Sequence, residues 1–207
     1  MSLTLIIIIL TSLISYKCFE DRTRFGNLLH SPYQEKRSNQ YYRLLTSGFL
    51  HGSFVHLFIN MFVLWNFGEY IEYSFINIFG DLMGRLNYLL LYLLTVIFAN
   101  VPTYFMHKDN VHFSSVGASG AVSGLVFVFI LFRPWAELEL FFFIPFRAII
   151  LGVLYLGYSS WAAKNGNDRI DHVAHFAGAI FGLLFTIVLE PELFTRFLTR
   201  LQENAPF

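Results

Sequence analysis

Residues 116–124 read Val-Gly-Ala-Ser-Gly-Ala-Val-Ser-Gly, a run of mostly small side chains in a chain that is otherwise largely apolar. Gly117 allows a tight entry from a loop into a helix, whose first amide groups have no partner within the helix. Gly120 and Gly124 are four residues apart, so a second helix can pack closely against them, as at small-xxx-small interfaces in membranes. The stretch therefore predicts a closely packed helix that begins at Ser119, where free amides face any developing negative charge.

The composition indicates a membrane protein. Of 207 residues, 56% are hydrophobic, 19% aromatic and 14% charged, whereas soluble domains carry roughly 25% charged residues. The formal net charge is zero, which gives no indication of a nucleic-acid partner. The single cysteine, Cys18, excludes an internal disulfide and a metal site built from several cysteines. We therefore expect an all-α protein embedded in the lipid bilayer, with no metal and no cofactor.

Apolar segments predict a single membrane domain over residues 1–207 with six transmembrane helices. The first segment lacks the basic start and cleavage site of a secretory signal peptide, so we interpret it as a span. The following polar, tyrosine-rich segment is interpreted as a first loop that lies partly in the headgroup region. A short apolar stretch at 138–146 is interpreted as an interfacial connector, a turn is predicted at 164–169, and an amphipathic tail follows the last helix. The predicted helices cover about residues 2–18, 52–74, 86–105, 118–133, 146–163 and 171–189.

Several polar side chains lie in or beside the predicted spans, where hydrocarbon makes them costly unless they face the bundle interior or water. His56 and Asn60 are four residues apart and share one face of the second helix. His51 would point away from that face, and we predict that it caps this span from the preceding loop.

The sixth predicted helix carries a second pair of glycines, Gly178 and Gly182, three residues beyond His175 and on the same side. Two glycine faces, one beside Ser119 and one beside His175, predict that the fourth and sixth helices pack together. This packing would bring the serine hydroxyl within hydrogen-bond reach of the imidazole.

These side chains have the chemistry of a serine hydrolase. A serine hydroxyl becomes a nucleophile when a base takes its proton, and a neutral imidazole is the usual base. We predict Ser119 as the nucleophile and His175 as the base and later the acid, with His56, Asn60 and the Ser119 amide as oxyanion donors. Taken singly, each residue also has an ordinary role. These are a helix N-cap for Ser119, interhelical hydrogen bonds for His175 and Asn60, and an interfacial anchor for Arg43.

Together these motifs resemble the rhomboid family of intramembrane serine proteases, over about residues 41–184. The stretch 49–68, FLHGSFVHLFINMFVLWNFG, is similar to the family segment that carries two histidines and an asparagine. GASG at 117–120 is similar to the family motif G-x-S-G, and AHFAG at 174–178 with a glycine at 182 is similar to A-H-x-x-G-x-x-x-G. The matching positions are Arg43, His51, His56, Asn60, Glu72, Gly117, Ser119, Gly120, His175, Gly178 and Gly182.

The resemblance implies a six-helix rhomboid-like bundle and a serine–histidine dyad without an acidic third member. It also implies cleavage of transmembrane protein substrates from a cavity that opens to the non-cytoplasmic side. On this basis we expect a serine endopeptidase in a bacterial inner membrane. The arginines and lysines are distributed against this orientation, because more of them lie in the segments that it places outside.

Two positions qualify the resemblance, and two other functions stay open. Asp171, one turn before His175, is interpreted as the N-cap of the sixth helix rather than as a triad acid. Ser123 stands where family members often carry an aromatic side chain that packs on the catalytic histidine. The alternatives are a non-catalytic binder of membrane proteins on the same scaffold and a proton-coupled transporter that uses His56, His175 and Glu72.

Overall fold

The computed structural model describes residues 1–140, 144–166, 168 and 170–203, and this part of the chain is mainly helical. A short 3-10 turn follows α4, and two strands pair antiparallel between α7 and α8. The helices are α1 (Leu3–Glu20), α2 (Arg22–Leu28), α3 (Pro32–Ser38), α4 (Arg43–Thr46), α5 (Phe54–Phe79), α6 (Asp81–His107), α7 (Ser119–Phe132), α8 (Ala148–Asn165), α9 (His172–Leu189) and α10 (Glu192–Glu203). The 3-10 turn is Ser47–Phe49, and the strands are β1 (Glu137–Leu140) and β2 (Ile144–Arg147).

The long helices lie where the apolar segments predict them. Among the described residues, four helices are long and apolar enough to cross a membrane, namely α1, α5, α6 and α9. Helix α7 is apolar but has only 14 residues, and α8 has 18 residues and ends in the polar pair Lys164 and Asn165. The described residues therefore show a mainly helical protein with four candidate membrane spans, whereas six spans were predicted in an all-α protein.

The ends of α5 and α6 differ from the prediction. Helix α5 continues to Phe79, and α6 begins directly after Gly80, whose φ of 82° breaks the helix. The predicted spans leave residues 75–85 between them, whereas in the structure this stretch is helical apart from Gly80. Arg85 contacts Glu72 and Asp81, each at 2.8 Å, so the helices continue through a charged segment. The pair with Glu72 joins α6 to α5, whereas Asp81 lies one turn before Arg85 within α6.

The segment between α7 and α8 is a β-hairpin, in which Leu138 pairs with Phe146 and Glu139 with Pro145. The predicted connector at 138–146 includes residues 141–143, which lie outside the described residues. Within the predicted turn, α8 extends to Asn165, while positions 167 and 169 also lie outside the described residues. The predicted amphipathic tail contains α10, up to residue 203, and residues 204–207 lie beyond the described part.

The first loop folds into the short helices α2, α3 and α4. The Arg43 side chain is 4% exposed and donates hydrogen bonds to the carbonyls of Gly26 and Leu29 and to the Gln40 side chain, at 2.8 to 3.0 Å. Arg43 is therefore a buried donor that holds the first loop closed, and not the interfacial anchor that was its alternative role. A backbone bridge between His30 and Ser115 joins this loop to the segment before α7.

Helix α7 lies at the centre of the helices, and most of its side chains are buried. It packs on α9 through the predicted glycines, because a Cβ on Gly178 would clash with the Gly120 carbonyl. One turn further along, a Cβ on Gly182 would lie 2.8 Å from the Cα of Gly124. The predicted close packing of these two helices is confirmed, and it sets the distance between their first turns.

Candidate active site

Ser119 and His175 are hydrogen-bonded, with 2.7 Å between the Ser119 Oγ and the His175 Nε2. Ser119 is the first residue of α7 and His175 lies in the first turn of α9, so both side chains project at the same end of the helix pair. The predicted proximity is confirmed. In this geometry the Nε2 atom can take the hydroxyl proton, as a general base does for a serine nucleophile.

Asp171 is the N-cap of α9, as predicted, and accepts a hydrogen bond from the Ala174 amide at 2.9 Å. Its two oxygens also accept from Thr103 Oγ1 at 2.9 Å and from Ser115 Oγ at 3.1 Å. The carboxylate is thus engaged by α6, by the loop before α7 and by its own helix. These bonds fit a residue that sets the position of α9 rather than a third member of a catalytic triad.

The His56 ring borders the same space as the Ser119 hydroxyl. A Cβ on Gly117, whose φ is 135°, would lie 3.0 Å from His56 Nε2 and 3.4 Å from Ser119 Oγ. The absence of a side chain at Gly117 therefore leaves room between imidazole and hydroxyl. The Gly52 amide donates a hydrogen bond to His56 Nδ1 at 3.4 Å. Because Nδ1 is the acceptor, we assign the hydrogen of the neutral ring to Nε2.

Asn60 lies one turn along α5 from His56, and its side chain is 5% exposed. One amide hydrogen is used within the helix, because Nδ2 donates to the His56 carbonyl at 2.9 Å. The amide group carries a second hydrogen. Asn60, His56 and Ser119 all line one cavity of about 490 Å³, together with His175. The predicted polar residues of α5, α7 and α9 therefore meet at one place.

The prediction that His51 caps α5 is wrong. Ser53 occupies the N-cap position, and its side chain accepts a hydrogen bond from the His56 amide. The His51 ring is 1% exposed, with its Nδ1 2.9 Å from Ser15 Oγ and its Nε2 3.4 Å from the Ala118 amide nitrogen. Burial, with a smaller contribution from His56, lowers the pKa of His51 to about 3. The neutral ring therefore connects α1 to the residue before the serine, a contact between remote segments that local spacing does not encode.

Glu72 lies far from this site, a rise of roughly 24 Å along α5 from His56. Its carboxylate accepts from the amides of Leu3 at 2.8 Å and Thr4 at 2.9 Å, and it pairs with Arg85 at 2.8 Å. These contacts place an acidic group at the start of α1, where the helix dipole favours it. Glu72 thus joins α1, α5 and α6, and the structure gives no contact between it and the histidines of the cavity.

A second cavity of about 690 Å³ adjoins the first, between α5 and α8. Its walls are mostly apolar, with Phe62 and Phe67 on one side and Leu151 on the other, and Ser119 borders it. Tyr155 of α8 also lines this cavity, and its ring lies nearly parallel to that of His175, with 6.4 Å between the ring centroids. No sequence motif singled out Tyr155, because its partners come from α7 and α9.

The fold and the site define a helical membrane protein with a serine–histidine pair in an internal cavity. The model of the Rhomboid domain matches residues 38–192, and the chain belongs to the rhomboid family. It is 28% identical over 173 residues to RHOMBOID-like protein 12, mitochondrial, of Arabidopsis thaliana, covering 80% of this chain and 51% of that protein. It is 30% identical over 149 residues to Rhomboid protein 1, mitochondrial, of Saccharomyces cerevisiae, covering 69% and 40%.

A further relative is Rhomboid-like protein 11, chloroplastic, of Arabidopsis thaliana, 29% identical over 164 residues, covering 72% of this chain and 52% of that protein. The chain thus spans about half the length, or less, of these relatives.

The expectation of a bacterial inner membrane is wrong. The relatives are mitochondrial or chloroplastic proteins, which points to an organellar membrane. The length and composition of a transmembrane helix depend on the thickness of the hydrocarbon core. This thickness is similar in many membranes, so the apolar segments did not identify which membrane holds the protein. The expectation that the cavity opens to the non-cytoplasmic side rested on the same assignment and falls with it.

Proposed function

We propose that the chain is an intramembrane serine endopeptidase that cleaves transmembrane segments of membrane proteins. The observation that carries this proposal is the 2.7 Å hydrogen bond between His175 Nε2 and Ser119 Oγ in a cavity of a rhomboid-family chain. In this reaction Nε2 takes the hydroxyl proton while Oγ attacks the scissile carbonyl carbon. His175 then gives the proton to the leaving amine, and water hydrolyses the acyl-enzyme with His175 again as base.

The oxyanion of the tetrahedral intermediate requires hydrogen-bond donors in a fixed arrangement. Three groups at the cavity can supply them. These are the Ser119 amide, which lies in the first turn of α7 and has no acceptor within that helix, the His56 Nε2 hydrogen and the second Asn60 amide hydrogen. The His56 Nε2 atom and the Ser119 hydroxyl border the same space beside Gly117.

The bundle in this proposal has six spans in one domain, with α7 and α8 added to the four long apolar helices. The apolar cavity between α5 and α8 gives a hydrophobic segment a path from the lipid to Ser119. An extended segment in this cavity presents its backbone carbonyls to the serine, which a helix does not, because its carbonyls are already hydrogen-bonded. The substrate class is therefore a transmembrane segment that unwinds near the cleavage point. The first loop is proposed to lie partly in the headgroup region.

The proposal is tested by labelling the detergent-solubilised protein with a fluorescent fluorophosphonate, beside Ser119→Ala and His175→Ala. We expect labelling of the unmodified chain and none of either variant, because the probe reacts only with a serine that a base activates. Asp168→Ala serves as a control, since Asp168 lies outside the cavity and contacts His172 instead. Labelling that survives in Ser119→Ala, or a folded unmodified chain that is not labelled, would contradict the proposal. The second result would favour a non-catalytic binder.

The oxyanion donors are tested by His56→Ala and Asn60→Ala. Loss of one such donor lowers kcat by about 10²-fold to 10³-fold in other hydrolases, and we expect the larger loss for His56, because one Asn60 hydrogen is already engaged within α5. Asn165→Ala is the matched control, since Asn165 makes the same bond to the fourth preceding carbonyl, at the end of α8. Equal rates for all three variants would remove His56 and Asn60 from the mechanism.

A further inference from the structure

An aromatic side chain from a third helix lies beside the His175 ring and nearly parallel to it. The Tyr155 ring of α8 lies 6.4 Å from the His175 ring, centroid to centroid, with 17° between the planes. The hydroxyl of Tyr155 is 2.6 Å from Ser123 Oγ on α7. Tyr155 is thus held at its hydroxyl by the helix that carries Ser119, while its ring lies along the imidazole.

These contacts join each pair of the helices α7, α8 and α9. Ser119 and Ser123 are one turn apart on α7, the first bonded to His175 and the second to Tyr155. The remaining contact, between the two rings, joins α8 to α9. Rotation of the His175 imidazole therefore changes its contact with the Tyr155 ring. That ring is hydrogen-bonded to α7, the helix that also carries Ser119.

The other ring neighbour of His175 is His172, which lies at 6.0 Å with 79° between the planes. His172 is in turn contacted edge-on by Tyr158 at 5.4 Å and bonded to Asp168. This neighbour belongs to α9 itself and moves with it. Among these side chains, Tyr155 is the one that relates the imidazole to another helix through a nearly parallel ring.

We propose that Tyr155 is a positioning residue for the base. Its ring holds the His175 imidazole at the angle that directs Nε2 to Ser119 Oγ, and the hydrogen bond to Ser123 holds the ring of Tyr155. The small side chain at position 123 leaves the space that the Tyr155 hydroxyl occupies, so the aromatic contact comes from α8 instead of from α7. This role rests on the proposed function, since it concerns the same serine and histidine.

The size of the effect follows from the contact. Ring pairs of this kind contribute a modest energy, which corresponds to about a three- to tenfold change in the rate of proton transfer. Tyr155→Leu removes the ring but keeps an apolar side chain in the wall of the second cavity. Tyr155→Phe keeps the ring and removes the hydroxyl. The control is Tyr158→Leu, the same change three residues along α8, where the ring contacts His172 and not His175.

The experiment measures labelling rates against fluorophosphonate concentration, which separates the maximal rate of inactivation from the half-saturating concentration. We expect Tyr155→Leu to lower the maximal rate about three- to tenfold, with the half-saturating concentration unchanged within about twofold. Tyr158→Leu should stay close to the unmodified chain, and Tyr155→Phe, which keeps the ring but loses its bond to Ser123, should show a smaller loss than Tyr155→Leu. A maximal rate unaffected by Tyr155→Leu, an equal loss in Tyr158→Leu, or a change confined to the half-saturating concentration would each overturn the role of Tyr155 while leaving the proposed function standing.

Two further variants decide the question if Tyr155→Leu does not fold. Ser123→Ala and Tyr155→Phe remove opposite ends of the same hydrogen bond, so we expect the same small loss in each and no further loss in the double variant. Independent, additive losses, or no loss in either, would contradict the anchoring contact. An unmodified folded chain that is not labelled would overturn the proposed function itself, and with it this role.

Discussion

The backbone of Gly178 on α9 lies directly against the carbonyl of Gly120 on α7, and no space for a methyl group is left between them. At this contact the two helices that carry the serine and the histidine pack backbone to backbone. It fixes the register of their first turns, so the 2.7 Å bond between Ser119 and His175 depends on it.

Gly178→Ala is therefore expected to separate α7 from α9. Overpacking of this kind costs about 1–3 kcal/mol, and the serine should lose its contact with the base, so labelling falls along with the melting temperature. Gly157→Ala is the matched control on α8, because a Cβ there meets no atom within 4 Å. It should be neutral or stabilising by up to about 1 kcal/mol, since alanine favours the helix. Equal melting temperatures for the two variants would show that the glycine contact does not limit the packing.

His51→Phe should loosen the segment before the serine. The substitution keeps a ring but removes the acceptor of the buried Ala118 amide, while Ser15 loses one of two partners and still donates to the Phe49 carbonyl. Each buried group left without a partner costs about 1–3 kcal/mol, so we expect a lower melting temperature and slower labelling. His112→Phe, at an exposed position in the loop before α7, should change neither. A His51→Phe protein with an unchanged melting temperature would contradict the contact.

Glu72→Ala should destabilise the fold without removing the chemistry. The change removes the acceptor of the first amides of α1 and one of the two partners of Arg85, which keeps Asp81, and a buried donor left without an acceptor costs about 1–3 kcal/mol. Glu72→Gln keeps one carbonyl oxygen and should cost less. Glu192→Ala breaks an exposed pair with Arg196 and should change stability by less than about 1 kcal/mol. Labelling below the melting temperature should be retained. A well-folded Glu72→Gln protein without labelling would instead support a role in proton movement.

The Lys36–Asp109 pair should contribute to stability only above acid pH. It joins α3 to the segment after α6, and the Lys36 hydrogen bond holds the pKa of Asp109 below its usual value. A carboxyl group with a lowered pKa in the folded protein stabilises at pH values above its unfolded pKa, and this contribution is lost as the pH falls through the folded value. Lys36→Met should thus lower the melting temperature slightly at neutral pH, and this effect should disappear as the pH falls below the unfolded pKa of about 3.9 and through the lower folded value of Asp109. The difference should also shrink in high salt, because both side chains are exposed. An effect that persists in acid would contradict this explanation.

Much of the site could be predicted from the sequence because its signals are local. The pair His56 and Asn60 follows helical spacing, and the glycines beside Ser119 and His175 mark the faces that pack. The N-cap role of Asp171 follows from its place at the start of an apolar helix, and the structure confirms it. Local spacing did not predict the function of side chains whose partners are remote. Arg43 binds carbonyls of α2 and of the residue after it, and His51 binds α1 and the residue before α7.

The sequence by itself determined the apolar helices, the glycine faces and the residue types of the site, since each depends on composition or on helical period. It did not determine what holds the His175 ring, because Ser123 lacks the aromatic side chain that would have marked the position. Only the tertiary structure brings Tyr155 from α8 to that ring and its hydroxyl to Ser123. The physical reason is that an interhelical contact depends on the rotation and depth of each helix, which are set by close packing across the whole bundle.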